Sequence, residues 1–200
     1  MRINKKRFIY LISPKKINKS FYKDLKNLFK LKKISFFQLR LKNTSFKKKL
    51  LIGGKIKKIC QTYKVKFLIN DDVYLAKELN SDGCHLGQKD MKLLKARELI
   101  NGKLIGITCH NSIKLAKEAI KKNADYLAFG AFDISKTKKT KYKANINLLK
   151  RIKKITKTPI VAIGGINADN YKKLLLNKAN FLAISGYIWN NKKLKPIEAI

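Results

Sequence analysis

The sequence predicts one α/β domain over residues 1–200, a closed (β/α)8 barrel (a TIM barrel) with a short or incomplete eighth helix. Eight short apolar runs alternate with amphipathic segments, and no linker rich in proline, glycine or serine interrupts them. An open doubly wound sheet would give a similar alternation, and 200 residues is near the lower limit for a barrel. Eight consecutive units nevertheless favour the barrel.

The predicted strands are continuous apolar runs, which is the pattern of strands buried on both faces of a parallel sheet. The first run is bounded by Ser13 and Pro14, where a turn is expected. In chain order the strands are 8–12, 34–39, 66–69, 83–86, 104–109, 126–129, 159–163 and 181–184.

Between the strands, apolar residues recur at helical spacing after residue types that cap helices. Ser20 is predicted to cap the first helix, Thr44 or Ser45 the second, and Asn111 the fifth. Few residues follow the eighth strand. The last unit is therefore either a turn at 187–189 or a short helix opened near the C-terminus by proline.

Charge is the most unusual feature of the composition, with 48 Lys and Arg against 12 Asp and Glu, a net charge of +36. The lysines are spread over almost every polar stretch, and Lys, Ile and Asn are over-used together, which is typical of a coding bias toward A/T-rich codons. We therefore expect no specific nucleic-acid partner, only non-specific adhesion that salt weakens.

The three cysteines, Cys60, Cys84 and Cys109, have no metal-binding or CxxC spacing. This predicts reduced, buried thiols and a cytoplasmic location. The apolar run at 8–12 is too short for a signal-peptide core, and no stretch approaches the ~20 apolar residues of a spanning helix. We therefore expect no membrane partner.

Sites in such barrels form where strands end and βα loops begin. Asp71 and Asp90 follow the third and fourth strands of a chain that is poor in acid. Mg²⁺ takes one or two carboxylates and completes its shell with phosphate oxygens and water. We interpret the two acids as ligands of a divalent cation; the alternative for either one alone is a helix cap. Asp72 is interpreted as such a cap.

Cations, hydroxyls and glycines follow the other strands. Gln38, Arg40 and Lys42 alternate, so all three point the same way from an extended segment. Glycines after the seventh strand allow backbone N–H groups to approach a phosphate. The set predicts two anionic groups bound at one end of the barrel; its other members are Asn70, Thr108, residues 135–138, Gly164, Gly165 and Ser185.

Two histidines have plainer interpretations. His85 lies in an apolar strand and is predicted to be a core histidine whose polar atoms are satisfied. His110 is next to Cys109, but neighbours in a strand point to opposite sides. A thiol nucleophile is therefore rejected.

Six blocks of sequence resemble those of the thiamine phosphate synthase family, in its order and at its spacing, from about residue 10 to 189. They are QLRLK (38–42), IND (69–71), GCHLGQKD (83–90), SKTK (135–138), AIGGI (162–166) and IS (184–185). The resemblance implies a transferase that joins 4-amino-2-methyl-5-(diphosphooxymethyl)pyrimidine to a (carboxy)thiazole ethyl phosphate. The products would be thiamine phosphate and pyrophosphate, formed by Mg²⁺-assisted dissociative loss of pyrophosphate.

By matching position, the resemblance also implies roles for single residues. Asp71 and Asp90 would hold Mg²⁺, and Arg40, Lys42 and Lys138 would be catalytic cations. The pyrimidine diphosphate would be bound by Gln38, Leu39, Arg40, Leu41, Lys42, Asn70, Thr108 and Lys138. The thiazole phosphate would be bound by Ser135, Lys136, Thr137, Gly165, Ile184 and Ser185.

The chain departs from the family pattern at four places. Leu41 stands where an acid is usual, Thr108 where serine is, Ser135 where threonine is, and Asp133-Ile134 where an aromatic-proline pair is. Two alternatives stay open. One is a thiazole tautomerase on the same barrel, with a histidine acid/base, and the other is a basic nucleic-acid-associating protein. The partners expected are phosphorylated small molecules, and a homo-oligomer is left open.

Overall fold

The computed structural model describes residues 7–133 and 141–200, in which eight parallel strands close into one barrel in chain order. Pairing of the last strand with the first, with Leu11 opposite Ile184, closes it. The strands are β1 (Ile9–Ile12), β2 (Ile34–Leu39), β3 (Lys66–Asn70), β4 (Gly83–Leu86), β5 (Leu104–His110), β6 (Tyr126–Phe129), β7 (Ile160–Ile163) and β8 (Phe181–Ile184). The predicted barrel is confirmed, and the open sheet is excluded.

A helix follows every strand. The helices are α1 (Phe21–Lys30), α2 (Phe46–Thr62), α3 (Val73–Glu78), α4 (Leu93–Leu99), α5 (Ile113–Lys121), α6 (Ile146–Ile155), α7 (Tyr171–Leu176) and α8 (Gly186–Trp189). The eighth is a single turn of four residues, as the short C-terminus predicts. No helix within residues 7–133 and 141–200 is long and apolar enough to cross a membrane.

Alternation along the strands separates two buried layers. Inward side chains such as Tyr10, Phe36, Tyr126 and Phe181 fill the barrel, where the Phe36 and Phe181 rings meet edge to face with centroids 5.0 Å apart. Outward side chains pack against the helices. Because the barrel is a packed core and not a pore, a ligand has to bind at the carboxyl ends of the strands.

The helix caps test the local predictions. Ser45 caps α2 by accepting a hydrogen bond from the N–H of Lys48, as predicted. Ser20 occupies the N-cap position of α1, as predicted, but its side chain makes no capping hydrogen bond, and the side chain of Asn18 accepts from the first N–H of α1 instead. The cap predicted for α5 was wrong, because Ser112 and not Asn111 caps that helix. Several polar residues precede each helix, and the backbone conformation of the loop decides which of them caps it.

Candidate active site

Side chains at the end of β2 alternate between the barrel mouth and the outer layer. Leu39 and Leu41 are 2% and 8% exposed and pack in the outer core. Gln38, Arg40 and Lys42 are therefore on the side of the strand that faces the barrel, as their spacing predicts. Leu39 and Leu41 can reach a ligand only through their backbone.

Gln38 carries an unsatisfied donor. Its side chain is 2% exposed, and its amide nitrogen is the one buried side-chain nitrogen or oxygen in the described residues without a hydrogen-bond partner. Leaving such a donor unpaired costs about 1–3 kcal/mol. An acceptor atom of a ligand in the barrel mouth would remove that cost.

Ser13, at which the sequence predicts only the end of a strand, links the ends of β1, β2 and β8. Its hydroxyl accepts the backbone N–H of Arg40 at 2.9 Å, and its own N–H donates to the Gln38 carbonyl at 2.9 Å. The Ser185 hydroxyl, after β8, donates to the Ser13 carbonyl at 3.1 Å. The backbone that carries Arg40 is thereby fixed.

Asp71 and Asp90 come together, as predicted, from the ends of β3 and β4. Asp71 has a left-handed backbone (φ 64°), and its N–H donates to the His85 carbonyl at 2.8 Å. Asp90 accepts the Gly87 N–H at 2.7 Å. Burial, followed by a hydrogen bond to Asp90 and the charge of Asp90, raises the pKa of Asp71 to about 6. The two carboxyl groups therefore share one small, negatively charged site.

Cations lie beside this pair. Lys42 Nζ is 4.0 Å from Asp71 Oδ2, and the charges of Lys42 and Arg40 oppose the rise in the pKa of Asp71. A cleft of about 550 Å³ opens here, with Lys42, Asn70 and Asp71 in its wall. A cleft that has both acids and cations in or beside its wall suits a negatively charged ligand that is bound together with a metal cation.

Helix capping explains the position of Asp72 but not that of Asp90. Asp72 accepts the Leu75 N–H at 3.0 Å and pairs with Lys49 at 3.4 Å, so it caps α3 as predicted. The cap position of α4 is Lys92, and Asp90 turns back toward Gly87. No group of three or more His, Cys, Asp or Glu side chains suited to a metal occurs in the described ranges, so a metal ion would need oxygens from substrate and water.

His85 is the satisfied core histidine that the sequence predicts. Its Nδ1 is 3.0 Å from the Tyr126 hydroxyl and its Nε2 is 2.8 Å from the Thr108 hydroxyl. Burial lowers its pKa to about 4, and the charge of Asp90 opposes this only in part. The Gln88 side chain also donates to the Thr108 carbonyl, which fixes Thr108 from a second side.

Gly164 and Gly165 form a tight turn after β7. Both have positive φ (94° and 70°), and the Gly164 carbonyl accepts the N–H groups of Phe132 and Asp133, each at 3.2 Å. This turn holds the last described residues before position 134. Four predicted site residues, Ser135, Lys136, Thr137 and Lys138, lie outside the described residues.

Two further predictions concern the ends of β5 and β8. Cys109 is fully buried, and burial raises the pKa of its thiol to about 12, while the His110 ring stacks on Tyr142 with centroids 4.1 Å apart. A buried thiol with a raised pKa is a poor nucleophile at neutral pH, in agreement with the rejection of a thiol nucleophile. Ile184 is 9% exposed and packs in the outer layer, so it can reach a ligand only through its backbone, whereas Ser185 is half-buried.

Comparison with known proteins gives a consistent result. A family model described as thiamine monophosphate synthase matches residues 9–188. Thiamine-phosphate synthase of Pelagibacter ubique is 69% identical over all of this chain and 96% of the relative, and that of Erythrobacter litoralis is 36% identical over 96% and 92%. A thiamine phosphate pyrophosphorylase structure from Pyrococcus furiosus superposes with a TM-score of 0.86 at 27% identity, covering 98% of this chain and 92% of that one.

Proposed function

The chain belongs to the thiamine monophosphate synthase family, and we infer that it is a thiamine-phosphate synthase, a transferase of thiamine biosynthesis. It joins the pyrimidine diphosphate to a thiazole ethyl phosphate, giving thiamine phosphate and pyrophosphate. The observation that carries this inference is the high identity along the full chain. We propose that residues 1–200 form a single catalytic domain, and that it works in the cytoplasm, where three free buried cysteines suit a reducing environment.

Asp71 and Asp90 are proposed to hold Mg²⁺. The raised pKa of Asp71, caused by burial and by the neighbouring Asp90, supports this, because a cation between the two carboxyl groups would neutralise the charge that the pair concentrates. Carboxylate oxygens are the ligands that Mg²⁺ prefers. When bound, Mg²⁺ supplies positive charge to the oxygens of the diphosphate.

The pyrimidine diphosphate is proposed to lie across the ends of β2 to β5. The unpaired Gln38 amide, with Asn70 and Thr108, would bind its pyrimidine end, while Arg40 and Lys42 would neutralise its phosphates. The backbone of Leu39 and Leu41 would complete this wall, and Lys138 would add a third cation.

The thiazole phosphate is proposed to bind across the ends of β6 to β8. The turn at Gly165 and the backbone at Ile184 and Ser185 would approach the phosphate, since glycine allows close contact with main-chain N–H groups. Residues 135–137 would add further donors to this phosphate site.

The reaction needs no protein nucleophile. The bond from the pyrimidine methylene carbon to the diphosphate oxygen breaks and its electron pair leaves with pyrophosphate, after which the thiazole nitrogen lone pair forms the new C–N bond. Arg40 and Lys42 stabilise the negative charge that grows on the leaving oxygens, and the binding residues hold both substrates in line. Catalysis therefore rests on charge and position.

Neither alternative gains a supporting observation. His110, the candidate acid/base of a tautomerase, lies with its ring against Tyr142, and a tautomerase would not need the paired acids Asp71 and Asp90. A nucleic-acid-associating protein would leave the same pair unexplained.

The direct test mixes purified protein with both phosphorylated substrates and Mg²⁺, and quantifies thiamine phosphate and pyrophosphate by chromatography. We expect the two products in equal amounts. Absence of product from folded protein would overturn the proposed function.

A further inference from the structure

A chain of buried polar groups crosses the barrel and ends at Thr108. The hydroxyls of Tyr10 and Tyr126 are 2.9 Å apart, and the His85 ring joins Tyr126 to Thr108 through its two nitrogens, at 3.0 and 2.8 Å. Tyr10, Tyr126 and His85 are 2%, 1% and 8% exposed, whereas Thr108 is half-buried at the barrel mouth. The chain therefore runs from the dry interior to the end where a ligand binds.

The packing around the chain holds it in one geometry. The His85 and Tyr126 rings stack within 13° of parallel, and the Tyr126 ring lies over Gly106, where an added Cβ would be 1.9 Å from a ring carbon. Only glycine at position 106 leaves room for this ring. The Tyr126 ring therefore packs against both Gly106 and the His85 ring, and these contacts hold the hydrogen-bonding atoms in place.

The protons of this series of hydrogen bonds can be arranged in two ways, and one of them leaves a buried donor without an acceptor. If Thr108 donates to Nε2 of His85, then Nδ1–H donates to Tyr126 and Tyr126 donates to Tyr10. The proton of Tyr10 is then left without an acceptor, since Tyr126 is the one partner of that hydroxyl among the described residues. A buried donor without a partner is costly, more so than an acceptor with a free lone pair.

The opposite arrangement uses every buried donor. Tyr10 donates to Tyr126, Tyr126 donates to Nδ1 of His85, and Nε2–H donates to the Thr108 oxygen. The Thr108 proton, at the mouth, then points away from His85. Both tyrosine hydroxyls keep their protons, because burial raises their pKa well above the ordinary value.

We propose, resting on the function inferred above, that His85 is a positioning residue for the reaction. With its proton on Nε2, His85 donates a hydrogen bond to the Thr108 oxygen. The Thr108 hydroxyl then donates its own proton to an acceptor atom of the pyrimidine diphosphate. An analogue of the pyrimidine diphosphate with a hydrogen-bond donor in place of this acceptor atom should bind more weakly.

The tautomer of His85 can be measured without substrate. Long-range ¹H–¹⁵N spectra of the labelled protein at neutral pH show which ring nitrogen carries the proton, and with two histidines in the chain a His110→Gln variant assigns the signals. We expect a single neutral form protonated on Nε2. A proton on Nδ1, or averaging between the two forms, overturns the proposal.

Kinetics of matched variants test whether His85 acts through Thr108. Glutamine at position 85 reaches the place of Nε2, whereas asparagine reaches only the place of Nδ1. We expect His85→Asn and Thr108→Val each to raise KM for the pyrimidine diphosphate about tenfold, without changing KM for the thiazole phosphate. His85→Gln and Thr108→Ser keep the hydrogen-bonding atom, and each should raise this KM less than the variant that removes it.

A double-mutant cycle separates positioning from a general structural role. If His85 acts through the Thr108 hydroxyl, His85→Asn adds nothing to KM in the Thr108→Val background. Additive effects, or equal changes in KM for both substrates, contradict the proposal. If the wild type made no thiamine phosphate, the function would fail, and the tautomer measurement would still decide the state of His85.

Discussion

Asp71 and Asp72 show how neighbouring residues of the same type take different roles. Asp72 has an extended backbone and turns its carboxylate onto the start of α3, where it accepts the Leu75 N–H. Asp71 adopts a left-handed conformation, which aspartate tolerates better than most residues, and its carboxyl group meets Asp90. One residue stabilises a helix, and the other faces the second carboxyl group of the proposed cation site.

The buried His85 makes stability depend on pH. Its pKa is about 4 in the folded protein against 6.5 ordinarily, so between these values the unfolded chain takes up a proton that the folded protein excludes. The stability that neutral His85 contributes is present above pH 6.5 and is lost as pH falls through this window. Between pH 7 and pH 5 the wild type should lose about 2 kcal/mol relative to a His85→Gln variant.

Urea unfolding of both proteins at the two pH values measures this difference. The raised pKa of Asp71 makes stability change with pH in the opposite direction over nearly the same range. Because Asp71 is present in both proteins, its contribution drops out of the difference between the wild type and the variant. A difference in unfolding free energy that does not change with pH would show that His85 titrates normally.

Much of the residue-level site could be predicted from strand ends and alternation, because parallel strands bring their carboxyl ends to one edge. Gln38, Asp71, Asp90 and Thr108 all lie at that edge. The role of Ser13 could not be predicted, because its contact with Arg40 depends on the register between β1 and β2. A single polar residue after a strand carries no signal of that register.

At the scale of elements, the turn between β7 and α7 supports the loop that follows β6. The Gly164 carbonyl binds two successive N–H groups of that loop, and a Cβ on Gly165 would be 2.5 Å from Cβ of Asp133. Both glycines have backbone angles that other residues adopt only under strain. The turn therefore shapes the proposed thiazole phosphate site through its backbone.

Substituting Gly165 by alanine should be costly for both reasons. We expect Gly165→Ala to lower the unfolding free energy by about 1–3 kcal/mol and to raise KM for the thiazole phosphate. Gly54 in α2 is the matched control, since a Cβ there meets nothing within 4 Å and alanine should stabilise the helix by about 0.5–1 kcal/mol. Chemical denaturation of both variants measures the two effects, and equal effects would contradict this account of the turn.

Helical periodicity predicted the existence of the helices better than their faces. Leu94 and Ile155 belong to the apolar residues of α4 and α6, yet they are 57% and 44% exposed. Both lie within two residues of a helix end, where the outer layer no longer covers the side chain. A short helix leaves few positions from which the buried stripe can be fixed.

For the whole molecule, the net charge of +36 coexists with a site that needs only a few cations. The ion pairs found in the described residues, such as Lys66–Asp82 and Arg97–Asp125, use a small part of the available base. Most lysines therefore contribute a diffuse positive surface, which attracts polyanions without selecting among them.

This surface predicts non-specific binding of nucleic acid that salt abolishes. Affinity for unrelated DNA duplexes should be equal within error and should fall on the order of 10³-fold or more between about 50 and 200 mM salt. Fluorescence anisotropy with two unrelated sequences measures both properties. A sequence-selective complex that persists at high salt would revive the nucleic-acid alternative.

Asp71 and Asp90 are proposed to hold Mg²⁺ for the departing pyrophosphate, and Mg²⁺ titration of thiamine phosphate formation by purified variants tests this role. We expect Asp71→Ala and Asp90→Ala each to lower kcat about 100-fold or more. The adjacent control Asp72→Ala should lose about 1 kcal/mol of stability and keep the wild-type response to Mg²⁺. Full activity in both Asp71→Ala and Asp90→Ala, with unchanged Mg²⁺ dependence, would contradict the account.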